Sequence, residues 1–489
     1  MPPQPLARLW LPALIVSSIG TWILYGARPG INFLIWTGAA IVGLFYIIRR
    51  TDRRMGQLAL PLGFAVLLAA GAAITADRLF HALIVLAVAS LLGLSVVLAA
   101  APPGANEYGP LYILTAPFSA FGRTVAGTIR TCIATFGALG TARLHPILRG
   151  ALVAAPVAII FALLFASADP VFARGRDAIA GAFSSWDFLP RLIFWSLLAL
   201  FLLGAYAVVA MGNDVSVRAV ASAPARVQRH EARTERLILL GTAAAVSWLF
   251  VLLQLAYRFG NPAAMIGSGV TFADYARRGF GELAIVATMA VGLIIGAEDL
   301  GRGADRGSVA DPSLRATALI LLAAVGGLLL SAVHRVGLYE NAYGYTTARL
   351  YAQAYMGMVL IILLLVAKEV LGAFNTPRLA RGIMGVALAT LVALIYWNGD
   401  AWIARRSLDR FATTGRVDAK YLTAGLSPDA YPTLVDALPS LAEPTRTRVS
   451  DWLLRWGSPE LGGGDAWYEW NSRRRDARAA LAVLKYRMR

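Results

Sequence analysis

The chain has 489 residues, of which 58% are hydrophobic and 15% are charged, and its formal net charge at pH 7 is +17. A charged fraction well below the roughly 25% of ordinary soluble domains excludes a plain water-soluble protein. Lys and Arg stand in short clusters between apolar runs, which is typical of membrane topology signals and lipid headgroup contacts and argues against a nucleic-acid partner.

Eleven apolar runs predict membrane-spanning helices, so the expected fold class is an all-α, polytopic integral membrane protein. The run Leu79 to Ala101 is the clearest. Such a run matches the ~30 Å hydrocarbon core as a helix, which satisfies its own backbone hydrogen bonds there. The predicted spans are 9–26, 31–48, 58–74, 79–101, 150–168, 192–211, 237–257, 281–297, 314–333, 354–372 and 382–397.

The connections between the spans differ in positive charge. When the N-terminus is placed in the cytoplasm, the cytoplasmic connections carry about twice as many Lys and Arg as the opposite ones, as the positive-inside rule requires. An odd number of spans then puts residues 398–489 on the outer side. One span more or fewer would reverse the side of this tail.

The sequence predicts two domains, a transmembrane domain over 1–397 and a soluble helical region over 398–489. Within the first, residues 110–149 are apolar but contain Arg123, Arg130 and Arg143, which are costly at the bilayer centre. We therefore expect an interfacial helical segment there. An amphipathic helix that binds a partner is the alternative.

Helix signals recur in the tail. Asp400 is expected to open a helix to Phe411, and Asp418 a short helix to Leu426. Ser427 followed by a proline is typical of an N-cap, and two further helices are predicted over 445–456 and 471–488. A helical appendage packed against the membrane domain is favoured over an independent binding module.

Three polar stretches stand out from the apolar background, at 168–172, 271–280 and 334–351, and the predicted topology puts all three on the outer side with the tail. The third is the richest in polar residues. Its candidate polar cluster consists of His334, Arg335, Tyr339, Glu340, Tyr343, Gly344, Thr346, Arg349 and Tyr351.

Two interpretations of this cluster stay open. Gly344 can adopt positive φ and end a helix, Thr346 or Thr347 can cap the next one, and Tyr345 and Arg349 are expected to pair on one helix face. One interpretation is a helical hairpin lined by interfacial tyrosines and held by ion pairs of Glu340 with arginine. The other is a polar pocket that binds an ion or an anionic group.

A second group of candidates lies near the other two stretches and at the start of the tail. Glu282 is the carboxylate expected to take a proton or cation role, although an ion pair with Arg278 is the favoured interpretation. Asp274 stands in a capping pattern with Thr271. The secondary candidates are Asp169, Asp274, Tyr275, Arg277, Arg278, Glu282 and Asp400.

Signatures of catalysis are missing from the sequence. The four histidines are spread along the chain without metal-ligand spacing, and one cysteine, Cys132, rules out a cysteine-based zinc cluster. The glycines of 301–307 lack the Gly-Lys-Ser/Thr ending of a phosphate loop. We predict no catalytic residue, no metal and no cofactor, and favour a protein that is not an enzyme.

The motifs of the second half resemble a known family. The run from His334 to Ala352, with its Leu-Tyr, Ala-Tyr-Gly and Arg-Leu-Tyr-Ala steps, is similar to the bacterial membrane family called domain of unknown function 4173. The stretches 168–172, 275–280, 398–405 and 418–430 resemble it as well. The resemblance spans about 150–440 and implies a polytopic protein of the bacterial inner membrane. With the orientation predicted from the Lys and Arg residues, the tail then lies in the periplasm. It implies no reaction.

Two functions follow as hypotheses. The first is an interaction or sensory scaffold, whose outer loops and tail bind membrane lipids and a protein partner in the cell envelope. The alternative is a transporter or lipid-handling protein that uses the region His334 to Arg349. Pairing of Glu340 and Arg349 in a closed cap against the tail would favour the scaffold, because the spans hold few ionisable groups to line a pathway.

Overall fold

The structure is a computed structural model that describes residues 8–50, 57–101, 110–138, 188–212, 231–259, 280–302, 311–415, 418–462 and 466–488. Every regular element in these ranges is helical. The helices before the tail are α1 (Trp10–Leu24), α2 (Ile31–Arg50), α3 (Ala59–Gly71), α4 (Arg78–Ala100), α5 (Pro110–Ala138), α6 (Phe188–Met211), α7 (Glu231–Phe259), α8 (Phe280–Arg302), α9 (Pro312–Tyr343), α10 (Thr347–Leu371) and α11 (Thr376–Tyr396).

The all-α polytopic fold is confirmed. Seven of the described helices are long and apolar enough to cross a membrane, namely those within α2, α4, α6, α7, α9, α10 and α11. Three shorter apolar helices, α1, α3 and Ile285–Glu298 within α8, coincide with further predicted spans. The remaining predicted span, 150–168, lies outside the described residues.

Several spanning helices begin earlier than their apolar runs, among them α10 and α11. α10 starts at Thr347 and α11 at Thr376, whereas the apolar runs predict starts at 354 and 382. The α11 start has a local cause, because the side chain of Asn375 accepts a hydrogen bond from Arg378 N (2.8 Å) and Pro377 occupies the first turn. Polar first turns thus belong to the helices although they do not belong to the apolar runs.

The tail contains the helices that its sequence predicts and one, Ser458–Leu461, that it does not. They are α12 (Gly399–Thr414), α13 (Ala419–Ala424), α14 (Tyr431–Ala437), α15 (Thr445–Trp452), α16 (Ser458–Leu461) and α17 (Ser472–Arg487). Asp418 caps α13 by accepting from Tyr421 N (3.0 Å), as expected. The expected role of Asp400 is wrong: Asn398 caps α12 by accepting from Ala401 N, and Asp400 accepts from Ser427 N (2.8 Å).

The chain divides into two compact units. Unit 1 comprises Met1–Asn106, Leu111–Ser216 and Gly463–Arg475, and unit 2 comprises Glu107–Pro110, Val217–Gly462 and Asp476–Arg489. Each unit therefore contains apolar helices together with a part of the tail. The predicted boundary between residues 397 and 398 stays a prediction.

Unit 1 is held by close helix packing. α5 approaches α6 where Gly127 and Gly204 meet: a Cβ at Gly204 would collide with Thr124 O. The hydroxyl of Thr128 donates to Leu200 O (2.8 Å) at the same contact. Small residues thus let the two backbones touch, as in other membrane helix pairs. Residues 139–149 lie outside the described ranges, and an interfacial position of α5 stays a prediction.

A tail segment completes unit 1, and we call residues 466–474 the C-terminal strap. It contacts the turn between α1 and α2 and the turn between α3 and α4. A Cβ at Gly30 would lie 2.5 Å from Glu469 O, so only glycine permits the approach. The hydrogen bonds are Ile31 N to Trp470 O (3.0 Å), Arg474 Nη2 to Pro29 O (2.6 Å), Asn471 Nδ2 to Ala72 O (2.9 Å) and to Thr75 O (2.6 Å), and Ser472 N to Ala73 O (2.8 Å).

Unit 2 has two apolar cores. One is shared by the five helices from α7 to α11 and contains residues such as Leu240, Leu321 and Val366. The other lies in the tail around the fully buried Tyr431, and Leu350 of α10 belongs to it. At the N-terminal end of α9, Asp311 caps the helix and forms an ion pair with Arg233 of α7.

Replacement of Gly204 by alanine is expected to destabilise unit 1, because the new methyl group collides with the backbone of α5. Overpacking of this kind costs about 1–3 kcal/mol. Gly63→Ala is the matched control, since no atom lies within 4 Å of its Cβ position. Thermal unfolding of the purified protein should show a lower Tm for Gly204→Ala alone, and equal Tm values for both variants would contradict the described α5–α6 contact.

The Asp311–Arg233 pair predicts a pH dependence. Hydrogen bonds from Arg233 and Ser313 lower the pKa of Asp311 from 3.8 to about 2. The stabilisation is therefore complete above the ordinary pKa and is lost as the pH falls through the lowered one. The Tm difference between the wild type and Asp311→Asn should be constant above pH 4 and vanish towards pH 2. The exposed Asp436→Asn serves as the control, and a difference unchanged at pH 2 would refute the pairing.

Candidate functional site

The turn between α9 and α10 is shaped by Gly344. Its φ of 83° ends α9, and its N–H donates to Glu340 O (2.8 Å), which confirms the predicted helix break. Thr346 occupies the N-cap position of α10, but its side chain makes no capping hydrogen bond. The first turn of α10 is therefore satisfied by other groups.

Arg349 returns from α10 to this turn. Its Nη1 donates to Gly344 O, and its guanidinium lies 4.2 Å from the centroid of the Tyr339 ring. The rings of Tyr339 and Tyr343 are 4.6 Å apart. Tyr345 and Arg349 do not share a helix face as expected, because α10 begins at Thr347. The Tyr345 ring meets Trp402 of the tail edge-on at 5.1 Å. Arg349 is thus used to tie the turn to α9.

Glu340 is the buried carboxylate of the site, with 6% of its surface exposed. Its Oε2 accepts a hydrogen bond from Gln353 Nε2 at 2.6 Å. A buried carboxylate needs such a partner, since leaving it without one would be strongly unfavourable. Glu340 of α9 and Gln353 of α10 therefore join the two helices just inside the turn.

The tail closes the site from the other side. Thr347 N, the first N–H of α10, donates to Tyr421 Oη (2.7 Å), and the same hydroxyl donates to Thr347 Oγ1 (3.2 Å). A Cβ at Gly344 would lie 2.7 Å from Arg410 Nη1, so a tail arginine reaches the glycine directly. We call Tyr339, Glu340, Gly344, Arg349, Gln353 and Tyr421 the capped polar cluster.

The structure brings together only part of the predicted candidate set. Tyr339, Glu340, Tyr343, Gly344 and Arg349 are in contact through the bonds and ring stacks above, and Thr346 flanks them. Of the remaining members, His334 is exposed, and Arg335 and Tyr351 are half-buried.

The secondary candidates do not join this cluster. Asp400 is buried in the tail, and Glu282 lies in α8. Asp169, Asp274, Tyr275, Arg277 and Arg278 lie outside the described residues.

Sequence reasoning missed Gln353 and Tyr421. Gln353 carries a detectable signal, because an amide stands at i+4 from Arg349, directly before the apolar run 354–372. Tyr421 carries no such signal, since it is 74 residues from its partner Thr347. Long-range partners of this kind are set by the tertiary fold.

The chemistry of the cluster is structural in kind. The carboxylate is bound by an amide, and the guanidinium is bound by a carbonyl and an aromatic face. Among the described residues, no group of three His, Cys, Asp or Glu side chains could hold a metal ion. The arrangement fits a cap that fixes the turn of the α9–α10 hairpin.

Comparison with known proteins places the chain in a family. Residues 62–437 match the family model described as domain of unknown function (DUF4153), which covers more than half of the sequence, so the chain belongs to that family. The motifs thus correctly indicated a family described as a domain of unknown function. The family number that they suggested, 4173, differs from the matched number, 4153. No curated protein and no solved structure matches the chain.

Tyr421→Phe is expected to weaken the cap, because it leaves Thr347 N without its acceptor. Because the contact is partly buried, the cost should lie near the lower end of the range of about 1–3 kcal/mol for an unsatisfied buried donor. Tyr486→Phe is the matched control, since Tyr486 is 83% exposed and surface changes stay within about 0.5 kcal/mol. Chemical unfolding of the purified protein should show the loss for Tyr421→Phe only. An unchanged free energy of unfolding would refute the role of this hydroxyl.

Proposed function

We propose that this member of the DUF4153 family is a membrane scaffold that holds its tail at the outer face of the bacterial inner membrane for interaction with a protein partner in the envelope. The apolar helices anchor the chain, and the tail helices provide the surface that faces the partner. A sensory role follows if the partner transmits an envelope signal through the same surface.

The observation that carries this proposal is the closure of the capped polar cluster. A transport site needs an ionisable group that an aqueous ligand can reach. Glu340 is almost fully buried and bound by Gln353, and Arg349 is stacked on Tyr339. These bonds favour a fixed support for the tail over the alternative, a transporter or lipid-handling protein.

The positions of the basic residues support the orientation within this proposal. In unit 1 the C-terminal strap contacts the turn after α1, whereas Arg49 and Arg50 end α2 at the opposite helix end. In unit 2, Tyr421 of the tail contacts the start of α10, whereas Lys368 lies in its last turn. The positive-inside rule assigns the basic ends to the cytoplasm and hence the tail to the outer, periplasmic side.

The topology is tested with reporter fusions after Met211, after Arg381 and at the C-terminus. An enzyme that is active only in the periplasm should be active at the C-terminal fusion and inactive at the two internal ones. An active fusion after Met211, or an inactive one at the C-terminus, would overturn the outward tail.

The interaction is tested by photo-crosslinking in cells. A photoreactive amino acid at the exposed Trp456 or Tyr486 should give one discrete adduct with a protein partner, and the same amino acid at the buried Tyr431 should give none. Glu340→Gln should keep the protein level and the adduct, since glutamine can still accept from Gln353. Absence of any adduct from the exposed positions contradicts the scaffold. Loss of the cellular phenotype in Glu340→Gln at normal protein level would instead favour transport.

A further inference from the structure

The outward face of α1 marks where unit 1 meets lipid. Leu11, Ile15 and Trp22 lie on one side of this apolar helix, and each exposes more than half of its surface. In a membrane protein such a row of large apolar side chains faces the bilayer. Trp22 stands in the last turn of α1, at the level where the helix leaves the hydrocarbon.

The C-terminal strap extends this row beyond the end of the helix. The Trp467 ring meets the Trp22 ring edge-on at 6.2 Å, and the Tyr468 ring lies 6.3 Å from the Trp22 ring. Trp467 is 63% exposed and Trp22 is 64% exposed, so the two indoles form one continuous open surface. The strap therefore adds two aromatic rings to the membrane-facing side of α1.

The position of these rings is fixed by the strap backbone. Ile31 N donates to Trp470 O (3.0 Å), and Arg28 N donates to the carboxylate of Glu469 (2.9 Å). The two residues that follow the aromatic pair, Glu469 and Trp470, are thus tied to the turn that follows α1. The rings are held at the end of the helix and have little freedom to move away from it.

The same end of unit 1 carries a second aromatic and basic pair. Arg191, in the first turn of α6, lies 5.4 Å from the centroid of the Tyr25 ring, and Phe194 lies 5.7 Å from the same ring. Aromatic rings with a polar edge and arginines with a long apolar stem are the side chains that settle at the headgroup level. This pair places the interface at the turn after α1, where the strap lies.

We propose that Trp467 and Tyr468 of the C-terminal strap bind the phospholipid headgroup layer beside Trp22, so that the strap is a membrane-interface element. The occupant of the surface is the bilayer, because the surface continues the lipid-facing row of α1. The indole and phenol rings lie among the glycerol and headgroup atoms, and their polar edges face water. This inference holds for a scaffold and for a transporter alike.

Nitroxide labelling tests the depth of the strap. The chain has one cysteine, so Cys132→Ala gives a cysteine-free background for single labels at Trp467→Cys, Val42→Cys and Ser440→Cys. Val42 is exposed in the apolar middle of α2, and Ser440 is an exposed polar residue of the tail. In phospholipid vesicles, we compare the accessibility of each label to oxygen, which concentrates in lipid, and to a nickel chelate, which stays in water. The ratio of the two for the label at 467 should lie between the high ratio of the Val42 label and the low ratio of the Ser440 label.

Two outcomes would overturn the proposal. A label at 467 that is as open to the nickel chelate as the one at 440 places the ring in water. A label closed to both reagents places the ring under protein, such as a second copy of the chain.

A second measurement uses the native ring and covers the case in which Trp467→Cys fails to fold. In vesicles of brominated phospholipid, bromine should quench the emission of Trp467. The emission that Trp467→Phe removes should therefore be smaller in brominated vesicles than in ordinary ones. The matched Trp456→Phe, which removes another exposed tail indole, should lose an unquenched part. Equal quenching of the emission lost in the two variants would also contradict the proposal.

Discussion

The structure depends on one constraint, the lack of water in the hydrocarbon core. Each backbone N–H and C=O there must find a partner in the protein, and a helix provides partners everywhere except at its ends. The first N–H groups of two membrane helices are satisfied by the tail: Ile31 N of α2 by Trp470 O, and Thr347 N of α10 by Tyr421 Oη. A carbonyl at the end of α3 also finds its partner in the tail, since the side chain of Asn471 donates to Ala72 O. The tail thus completes the hydrogen bonding of the membrane helices.

The same constraint explains the character of the capped polar cluster. A carboxylate near the end of a span is tolerated when it is bound, and Glu340 is bound by Gln353. An arginine is tolerated when its guanidinium meets a carbonyl and an aromatic face, as Arg349 does at Gly344 and Tyr339. The polar residues whose sequence pattern is compatible with a ligand site therefore bind one another in the structure. Their bonds fix the hairpin of α9 and α10 against the tail.

The sequence predicts the helices well because their main cause is local. Apolar runs coincide with the described spanning helices, and the positive φ of Gly344 and the cap of Asp418 follow from residue type alone. The start of α10 follows from the cap expected at Thr346 or Thr347, whereas the early start of α11 was not predicted, because a hydropathy run cannot register a polar first turn.

The site was predicted only in part, for a different reason. Tyr339, Glu340, Gly344 and Arg349 are neighbours along the chain, so one polar stretch contains them all. Tyr421 meets them from 74 residues away, and neither periodicity nor spacing encodes that contact. The strap is a stronger example, because Asn471 and Ala72 are 399 residues apart.

That separation has a consequence for biosynthesis. α1 and α2 leave the ribosome long before Trp470, whose carbonyl accepts from Ile31 N. The turn between these two helices must therefore stay open in the bilayer until the C-terminal strap has been translated. Synthesis of the strap is thus a precondition for maturation of helices made more than four hundred residues earlier.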